Sequence, residues 1–158
     1  MRHGEAEPKS SGTKDGERKL TYEGRALNRK VLALAVELGP RKVDSILSSP
    51  LERAVQTAED ALGVLGETGR TKVEITDALE PTSTPYEFCG FLSRLDSNRT
   101  VLAVTHQPLV SDLLSSLLGV ESGRIAMPTS TIARLDFEKE PSGGSGVLKW
   151  LVSGHFSF

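Results

Sequence analysis

The sequence predicts an α/β fold, in which a mostly parallel central sheet carries helices on its faces and an antiparallel hairpin ends the chain. Two observations support this prediction. Up to position 120, short apolar runs typical of buried strands alternate with stretches that have helical periodicity and capping residues, which is the pattern of a parallel sheet. After position 130, two apolar runs are separated only by "KEPSGGS", which is too short for a crossover helix.

The first helix is predicted from near Thr21 to Gly39-Pro40. Gly followed by Pro is a common helix stop, and the apolar positions between these points follow steps of three and four. They are Leu27, Val31, Leu34, Ala35 and Leu38. One face of this helix is therefore expected to pack against the sheet.

The second helix is predicted from Pro50 to about Val64, directly after the strand "VDSILSSP". Ser49 is expected as its N-cap and Glu52 as the third helical residue of a capping box, with proline at the first helical position. This start places Arg53 in the first turn, at the carboxyl end of the strand.

The remaining elements repeat the alternation. "KVEITDAL" is expected as a strand, Thr84-Pro85 with Glu87 as a capped helix start, "TVLAVTH" as a strand, and "PLVSDLLSSLLGV" as a helix. "STIARLDFE" and "GVLKWLV" then form the predicted hairpin, with Trp150 in the core. Because ligands of parallel sheets bind beyond the carboxyl ends of the strands, a functional site is expected at that edge.

Composition narrows the class of protein. A chain of 158 residues fits one domain over 1–158, and the 19 Lys and Arg residues are spread without a basic face that would bind nucleic acid. No apolar run approaches the ~20 residues that span a bilayer, and the charged N-terminus is unlike a signal peptide. The single cysteine, Cys89, cannot form an internal disulfide and is expected as a core residue on a helix. A cytoplasmic protein without membrane or nucleic-acid partners is predicted.

Arginine and histidine side chains fall at the predicted site edge. His106 ends the strand "TVLAVT", Arg53 begins the helix after "SILSSP", and Arg2-His3-Gly4 would follow a strand if one preceded it. Guanidinium groups match phosphate oxygens, and a neutral imidazole can attack phosphorus. Each residue alone is weak evidence, since a histidine at a strand end is more often structural and a helix arginine more often a surface charge.

The combination resembles a known family. "RHGE", "SSPLERAVQTAE" and "VTHQP", in this order and at these spacings, are similar to motifs of the histidine phosphatase superfamily, also called phosphoglycerate mutase-like. "RKLTYEGR", "TSTIARLDFE" and the short chain resemble its SixA-type phosphohistidine phosphatase branch. The resemblance covers nearly the whole chain and implies a three-layer αβα sandwich of the phosphoglycerate mutase-like type.

The resemblance also implies roles for individual residues. His3 would be the nucleophile that becomes phosphohistidine, Arg2 and Arg53 would bind the phosphoryl oxygens, and His106 would stabilise charge on the transferred group. Arg18 matches a further phosphate-binding arginine of the SixA-type branch, with a solvated loop charge as the alternative. No metal or cofactor is expected, because catalysis of phosphoryl transfer is mostly positioning and electrostatics, and the arginines supply positive charge.

The sequence leaves open which residue, if any, donates a proton to the leaving group. Many family members use a carboxylic acid, and Asp77 and Glu80 in "TDALEP" are the nearest candidates by position. A protonated imidazole leaves easily, so a phosphohistidine substrate could need no such acid. Glu5 is expected to brace the site, and His155 is expected as a tail residue.

Three functions are compatible with these residues. Only 52 residues separate Arg53 from His106, which leaves little chain for a lid, and an open site suits a phosphohistidine domain of another protein. The predicted function is therefore a protein phosphohistidine phosphatase. The alternatives are a phosphomonoesterase acting on a small phosphate ester, and a catalytically silent phosphoryl-binding module.

The start of the chain raises one more expectation. In the family that "RHGE" resembles, a short apolar strand precedes the motif, whereas here only Met1 does. We therefore expect that 1–158 is an N-terminally shortened form, with Met1 to His3 as the stub of a strand beside "SILSS" or "LAVTH".

Overall fold

The computed structural model describes residues 1–39, 43–66, 70–96 and 99–155. The α-helices are α1 (Tyr22–Leu38), α2 (Glu52–Leu65), α3 (Pro85–Leu92) and α4 (Leu109–Leu118). The strands are β1 (Ser45–Ser48), β2 (Val73–Ile75), β3 (Val101–Val104), β4 (Ile132–Asp136) and β5 (Val147–Val152). Two short 3-10 turns span Asp15–Glu17 and Asp77–Leu79.

The strands form a parallel sheet and a separate antiparallel hairpin. The sheet has the order β2-β1-β3, with both pairs parallel, and the hairpin joins β4 to β5. This arrangement confirms the predicted α/β fold with its C-terminal hairpin. The site edge therefore lies where β1 and β3 end and where α2 and α4 begin.

The first residues of the chain lie between the sheet and the hairpin. Arg2 forms a parallel bridge with Thr105, and its backbone N–H donates to the carbonyl of Thr131 at 2.9 Å. The Met1 nitrogen donates to the carbonyl of Ala103 at 2.7 Å. His3 is thus held beside the carboxyl end of β3 by backbone contacts on two sides.

A groove of about 550 Å³ opens between β3 and β4. Its walls are mainly apolar and include Met1, Leu102, Ile132 and Leu135. Along these strands the hairpin packs against the rest of the fold through side chains, because β4 pairs only with β5 among the described strands.

Helix α1 follows the predicted bounds but buries a slightly different face. The Thr21 hydroxyl accepts from the backbone N–H of Gly24 at 2.9 Å and caps the helix. Leu34 and Leu38, predicted on the packed face, are 42% and 55% exposed, whereas Leu32 is fully buried. The helix packs on α2 and on the β4–β5 hairpin, so its contact face is rotated from the stripe that periodicity indicated. Pro40, the predicted stop, lies outside the described residues.

The predicted capping box of α2 is wrong, and the helix begins at Glu52. The Glu52 carboxylate accepts from Gln56 one turn later at 2.7 Å, and the Ser49 hydroxyl lies 2.8 Å from the ring of His106. Ser49 therefore contacts a residue far along the chain and does not cap α2. Arg53 keeps its predicted place in the first turn.

The predicted start of α3 is confirmed. The Thr84 hydroxyl accepts from the N–H of Glu87 at 3.3 Å, and the Glu87 carboxylate accepts from the N–H of Thr84 at 2.7 Å. Cys89 on this helix is partly buried against the apolar cluster around Phe88, and burial raises the pKa of its thiol. Trp150 is also only partly buried, and its indole N–H donates to the Leu38 carbonyl at 3.1 Å.

None of the described helices is both long and apolar enough to cross a membrane.

Candidate active site

The structure brings five of the seven candidate site residues predicted from sequence into one cavity. This cavity has a volume of about 330 Å³ and lies at the carboxyl ends of β1 and β3. Its lining consists of Arg2, His3, Glu5, Ala6, Arg18, Arg53, His106, Gln107 and Thr129. A three-arginine, two-histidine cavity is suited to an anion with several oxygens.

His3 presents a free ring nitrogen to this cavity. Its Nδ1 lies 2.6 Å from the backbone carbonyl of Gly4. Since a carbonyl oxygen only accepts, Nδ1 carries the ring proton and Nε2 keeps its lone pair. The ring is buried, so its orientation is set by packing as well as by this bond.

Gly4 allows the backbone to approach α1 closely. A Cβ at this position would lie 2.7 Å from Nδ2 and 2.8 Å from Oδ1 of Asn28, a fully buried residue. The Gly4 N–H donates to the hydroxyl of Thr57 on α2 at 3.1 Å. A side chain at position 4 would therefore displace the segment that carries His3.

His106 faces His3 and is oriented by Ser49. The two imidazole centroids are 4.9 Å apart, with their planes at 52°. Nε2 of His106 lies 2.8 Å from the Ser49 hydroxyl, and that hydroxyl oxygen accepts from the N–H of Leu51 at 3.4 Å. The hydroxyl can donate to Nε2 or accept from it, and in either case this bond fixes the orientation of the His106 ring. Nδ1 is buried and has no hydrogen-bond partner among the described residues.

Burial keeps both histidines uncharged. It lowers the pKa of His3 to about 4, an effect opposed by the bond to the Gly4 carbonyl and reinforced by the charges of Arg53, Arg2 and Arg18. Burial also lowers the pKa of His106 to about 3, with further lowering by His3 and Arg53. At neutral pH the cavity therefore holds two neutral imidazoles among arginine charges.

Each of the three arginines is anchored to a backbone carbonyl. The acceptors are Met127 for Arg2 at 2.8 Å, Glu7 for Arg18 at 2.7 Å, and Asp15 for Arg53 at 2.7 Å. Carbonyl anchors fix a guanidinium without neutralising it, so its remaining N–H groups can meet an oxyanion. Arg18 lines the cavity and has only 24% of its side chain exposed. A solvated loop charge, which the sequence analysis gave as the alternative for Arg18, would be more exposed.

The carboxylate of Asp15 bridges two of these arginines. Its Oδ1 lies 3.0 Å from Nη1 of Arg18, and its Oδ2 lies 3.0 Å from Nη2 of Arg53. Sequence reasoning missed both Asp15 and Ser49. The only signal for Asp15 was its position three residues before Arg18, and Ser49 was assigned to a helix cap.

The two candidate acids lie in the second 3-10 turn or at its end. Asp77 is exposed and Glu80 is partly exposed, and neither is among the described residues that line the cavity. The turn is held near the end of β3 because the Thr105 hydroxyl donates to the carbonyl of Leu79 at 2.6 Å. The structure thus brings these carboxylates near the site edge without placing them in the cavity wall.

Two further residues lie at the rim of the cavity. Glu5 lines it with an exposed side chain, and its carbonyl accepts from the N–H of Thr21 at 3.0 Å. His155, expected as a tail residue, has Nε2 3.1 Å from the hydroxyl of Thr129, which lines the cavity. The tail therefore reaches the rim of the site. Among the described residues, no group of three or more His, Cys, Asp or Glu side chains could hold a metal ion.

The order of the motifs, the fold and this cavity define a class of enzyme. The chain belongs to the histidine phosphatase superfamily, and the sequence model of its branch 1 matches residues 1–82. Within that superfamily it is similar to SixA-type proteins. It is 28% identical over 143 residues to the phosphohistidine phosphatase SixA homolog of Haemophilus influenzae. The matched region covers 85% of this chain and 84% of that protein.

Solved structures agree with this placement. The protein histidine phosphatase SixA complexed with tungstate superposes with a TM-score of 0.81 and 26% identity, over 98% of this chain and 94% of that one. A phosphoserine phosphatase from Entamoeba histolytica shares the fold, with a TM-score of 0.68 and 18% identity over 96% and 94% of the two chains. The protein is therefore a histidine phosphatase, as the sequence predicted.

Proposed function

We propose that this phosphatase hydrolyses phosphohistidine on another protein, through a phosphorylated intermediate on His3, within a single domain over 1–158. The observation that carries the proposal is the bond between Nδ1 of His3 and the Gly4 carbonyl at 2.6 Å. It leaves Nε2 as a neutral nucleophile in a cavity with three arginines. Similarity to SixA proteins supports phosphohistidine as the substrate.

In the first step, Nε2 of His3 attacks phosphorus. A bond forms between phosphorus and Nε2, while the bond from phosphorus to the substrate imidazole breaks. The substrate imidazole reacts with its second ring nitrogen protonated and leaves as a neutral imidazole that keeps this proton, so it needs no strong acid from the enzyme. Asp77 and Glu80 remain candidates for a donor to substrates with poorer leaving groups.

The charge that develops on the phosphoryl oxygens is met by donors already in place. Arg2, Arg18 and Arg53 surround the cavity, and His106 lies in the same wall with its ring centroid 4.9 Å from that of His3. Such preorganised donors are each worth about 10²–10³ in rate. In the second step, water attacks phosphorus while the bond from phosphorus to Nε2 breaks. Inorganic phosphate leaves with the protons of that water, and Nε2 of His3 regains its lone pair.

The shape of the site favours a substrate presented by a protein. The chain between Arg53 and His106 is occupied by α2, β2, a 3-10 turn, α3 and β3, which leaves no long insertion to roof the cavity. A phosphohistidine side chain can therefore approach from solvent. A volume of about 330 Å³ also fits a small phosphate ester, and such esters are the second candidate substrate.

The chemical stability of the intermediate tests the mechanism. Enzyme labelled with ³²P during turnover should retain the label in alkali and lose it in acid, since a nitrogen-linked phosphate behaves in the opposite way to a serine ester. The His3→Ala variant should take up no label. Acid-stable label, or label on His3→Ala, would contradict the mechanism.

A substrate panel tests the specificity. A phosphohistidine-carrying phosphotransfer protein and a set of sugar phosphates are compared by kcat/KM, with His3→Ala as the blank. We expect the phosphoprotein to be preferred. Higher kcat/KM for a sugar phosphate would instead support the phosphomonoesterase, and absence of turnover with every substrate, including an aryl phosphate, would leave a phosphoryl-binding module.

A further inference from the structure

We propose that Asp15 is a positioning residue, which holds Arg18 and Arg53 at the separation that a phosphoryl group needs. The inference rests on the proposed function, because it assigns these two arginines to the phosphoryl oxygens. It concerns a carboxylate that belongs to none of the motifs by which the family resemblance was found.

One carboxylate joins two arginines that come from different parts of the chain. Arg53 lies in the first turn of α2, whereas Arg18 follows the first 3-10 turn. Asp15 contacts Arg18 through Oδ1 and Arg53 through Oδ2, both at 3.0 Å, and its carbonyl accepts a third bond from Arg53 at 2.7 Å. Without this anion the two guanidinium groups would repel each other.

The contacts leave donors available for a ligand. A guanidinium carries five N–H groups. Arg53 uses two on Asp15, and Arg18 uses one on Asp15 and one on the Glu7 carbonyl. Most N–H groups of both arginines therefore remain for phosphoryl oxygens.

Asp15 supports the arginines from outside the cavity. Arg18 and Arg53 are among the described residues that line it, and Asp15 is not. A carboxylate that competed with phosphate would be expected in the cavity wall. This placement favours a carboxylate that stays bonded to both arginines over one that occupies the phosphate position and leaves when the substrate binds.

The Asp15 carboxylate is charged and lies near the surface. The bond to Arg18, followed by the bond and charge of Arg53, lowers the pKa of the Asp15 carboxyl, so it is ionised at neutral pH. Half of its side chain is exposed, and exposed ion pairs contribute little to stability. The loss of Asp15 should therefore alter the site far more than the fold.

The test compares Asp15→Asn with Glu17→Gln. Glu17 is an exposed residue of the same 3-10 turn, so both variants remove one negative charge at nearly the same place. For each we measure kcat/KM with an aryl phosphate, the melting temperature, and the Kd of inorganic phosphate by calorimetry. We expect Asp15→Asn to lose roughly 10-fold or more in kcat/KM, less than the full loss of a donor, with a similar rise in Kd. Glu17→Gln should stay near wild type, and both should melt like wild type.

A double variant separates positioning from a merely structural role. If Asp15 acts through the arginines, Asp15→Asn should cost less in an Arg18→Ala background than in wild type, because one of its two targets is already gone. Equal effects in both backgrounds would overturn the proposal. So would phosphate binding by Asp15→Asn that is tighter than, or equal to, that of Glu17→Gln. Because the Kd needs no turnover, an inactive wild-type enzyme would refute the proposed function and still leave this inference testable.

Discussion

The neutral state of His3 should keep the enzyme active in mildly acidic solution. Burial lowers the pKa of this imidazole to about 4, whereas a free histidine titrates near 6.5. At pH 5.5, a group with a pKa of about 4 is roughly 97% neutral, while one with a pKa of 6.5 is roughly 10% neutral. The two cases therefore differ about tenfold in the amount of nucleophile at that pH.

Two measurements check this prediction. The first is the pH dependence of kcat/KM for an aryl phosphate between pH 4 and 8, after correction for ionisation of the substrate. The second is titration of the histidine Cε1–H resonances by NMR, with His3→Gln and His106→Gln to assign them. A kcat/KM that falls below a pKa near 6.5, together with an NMR titration midpoint near 6.5 for His3, would show that burial does not keep this imidazole neutral.

The same shifts make stability depend on pH. The folded-state pKa values of His3 and His106, about 4 and about 3, lie below the unfolded value of 6.5, so unfolding takes up protons below pH 6.5. The free energy of unfolding should fall by about 1.4 kcal/mol per pH unit for each histidine as the pH decreases from 6.5 to about 4. Denaturant titrations of His3→Gln should show about half of this histidine-dependent slope.

Three further variants and one treatment with a chelator probe the rest of the site. Arg53→Ala and His106→Ala should fold but lose at least about 100-fold in kcat/KM, whereas Arg124→Ala, an exposed arginine paired with Glu121, should match wild type; near-normal rates for the first two would contradict their roles. EDTA should leave turnover unchanged, and loss of activity that Mg²⁺ restores would show that the arginines do not suffice. Ser49→Ala should lower kcat by freeing Nε2 of His106, and should cost about 1–3 kcal/mol of stability for the unsatisfied ring nitrogen; wild-type kinetics would show that Ser49 does not orient the ring.

The sequence alone determined the order of strands and helices and indicated five of the residues that line the cavity. Periodicity, capping residues and the short link between the last two strands are local signals, because each depends on residues within a few positions of one another. The capping box at Thr84 and Glu87 was predictable for this reason. The motifs at His3, Arg53 and His106 indicated the cavity because parallel strands end at one edge of a sheet.

The tertiary structure decided which partners the polar residues take. Ser49 had the correct local pattern for a helix cap, but a histidine 57 positions away competes for its hydroxyl. Asp15 bonds an arginine 38 positions away, which no local pattern indicates. Likewise, Leu32 is buried and Leu34 exposed on α1, because the contact face depends on where α2 and the hairpin pack. Contacts between distant residues exist only once the chain is folded, and they set the orientation of His106 and the separation of the arginines.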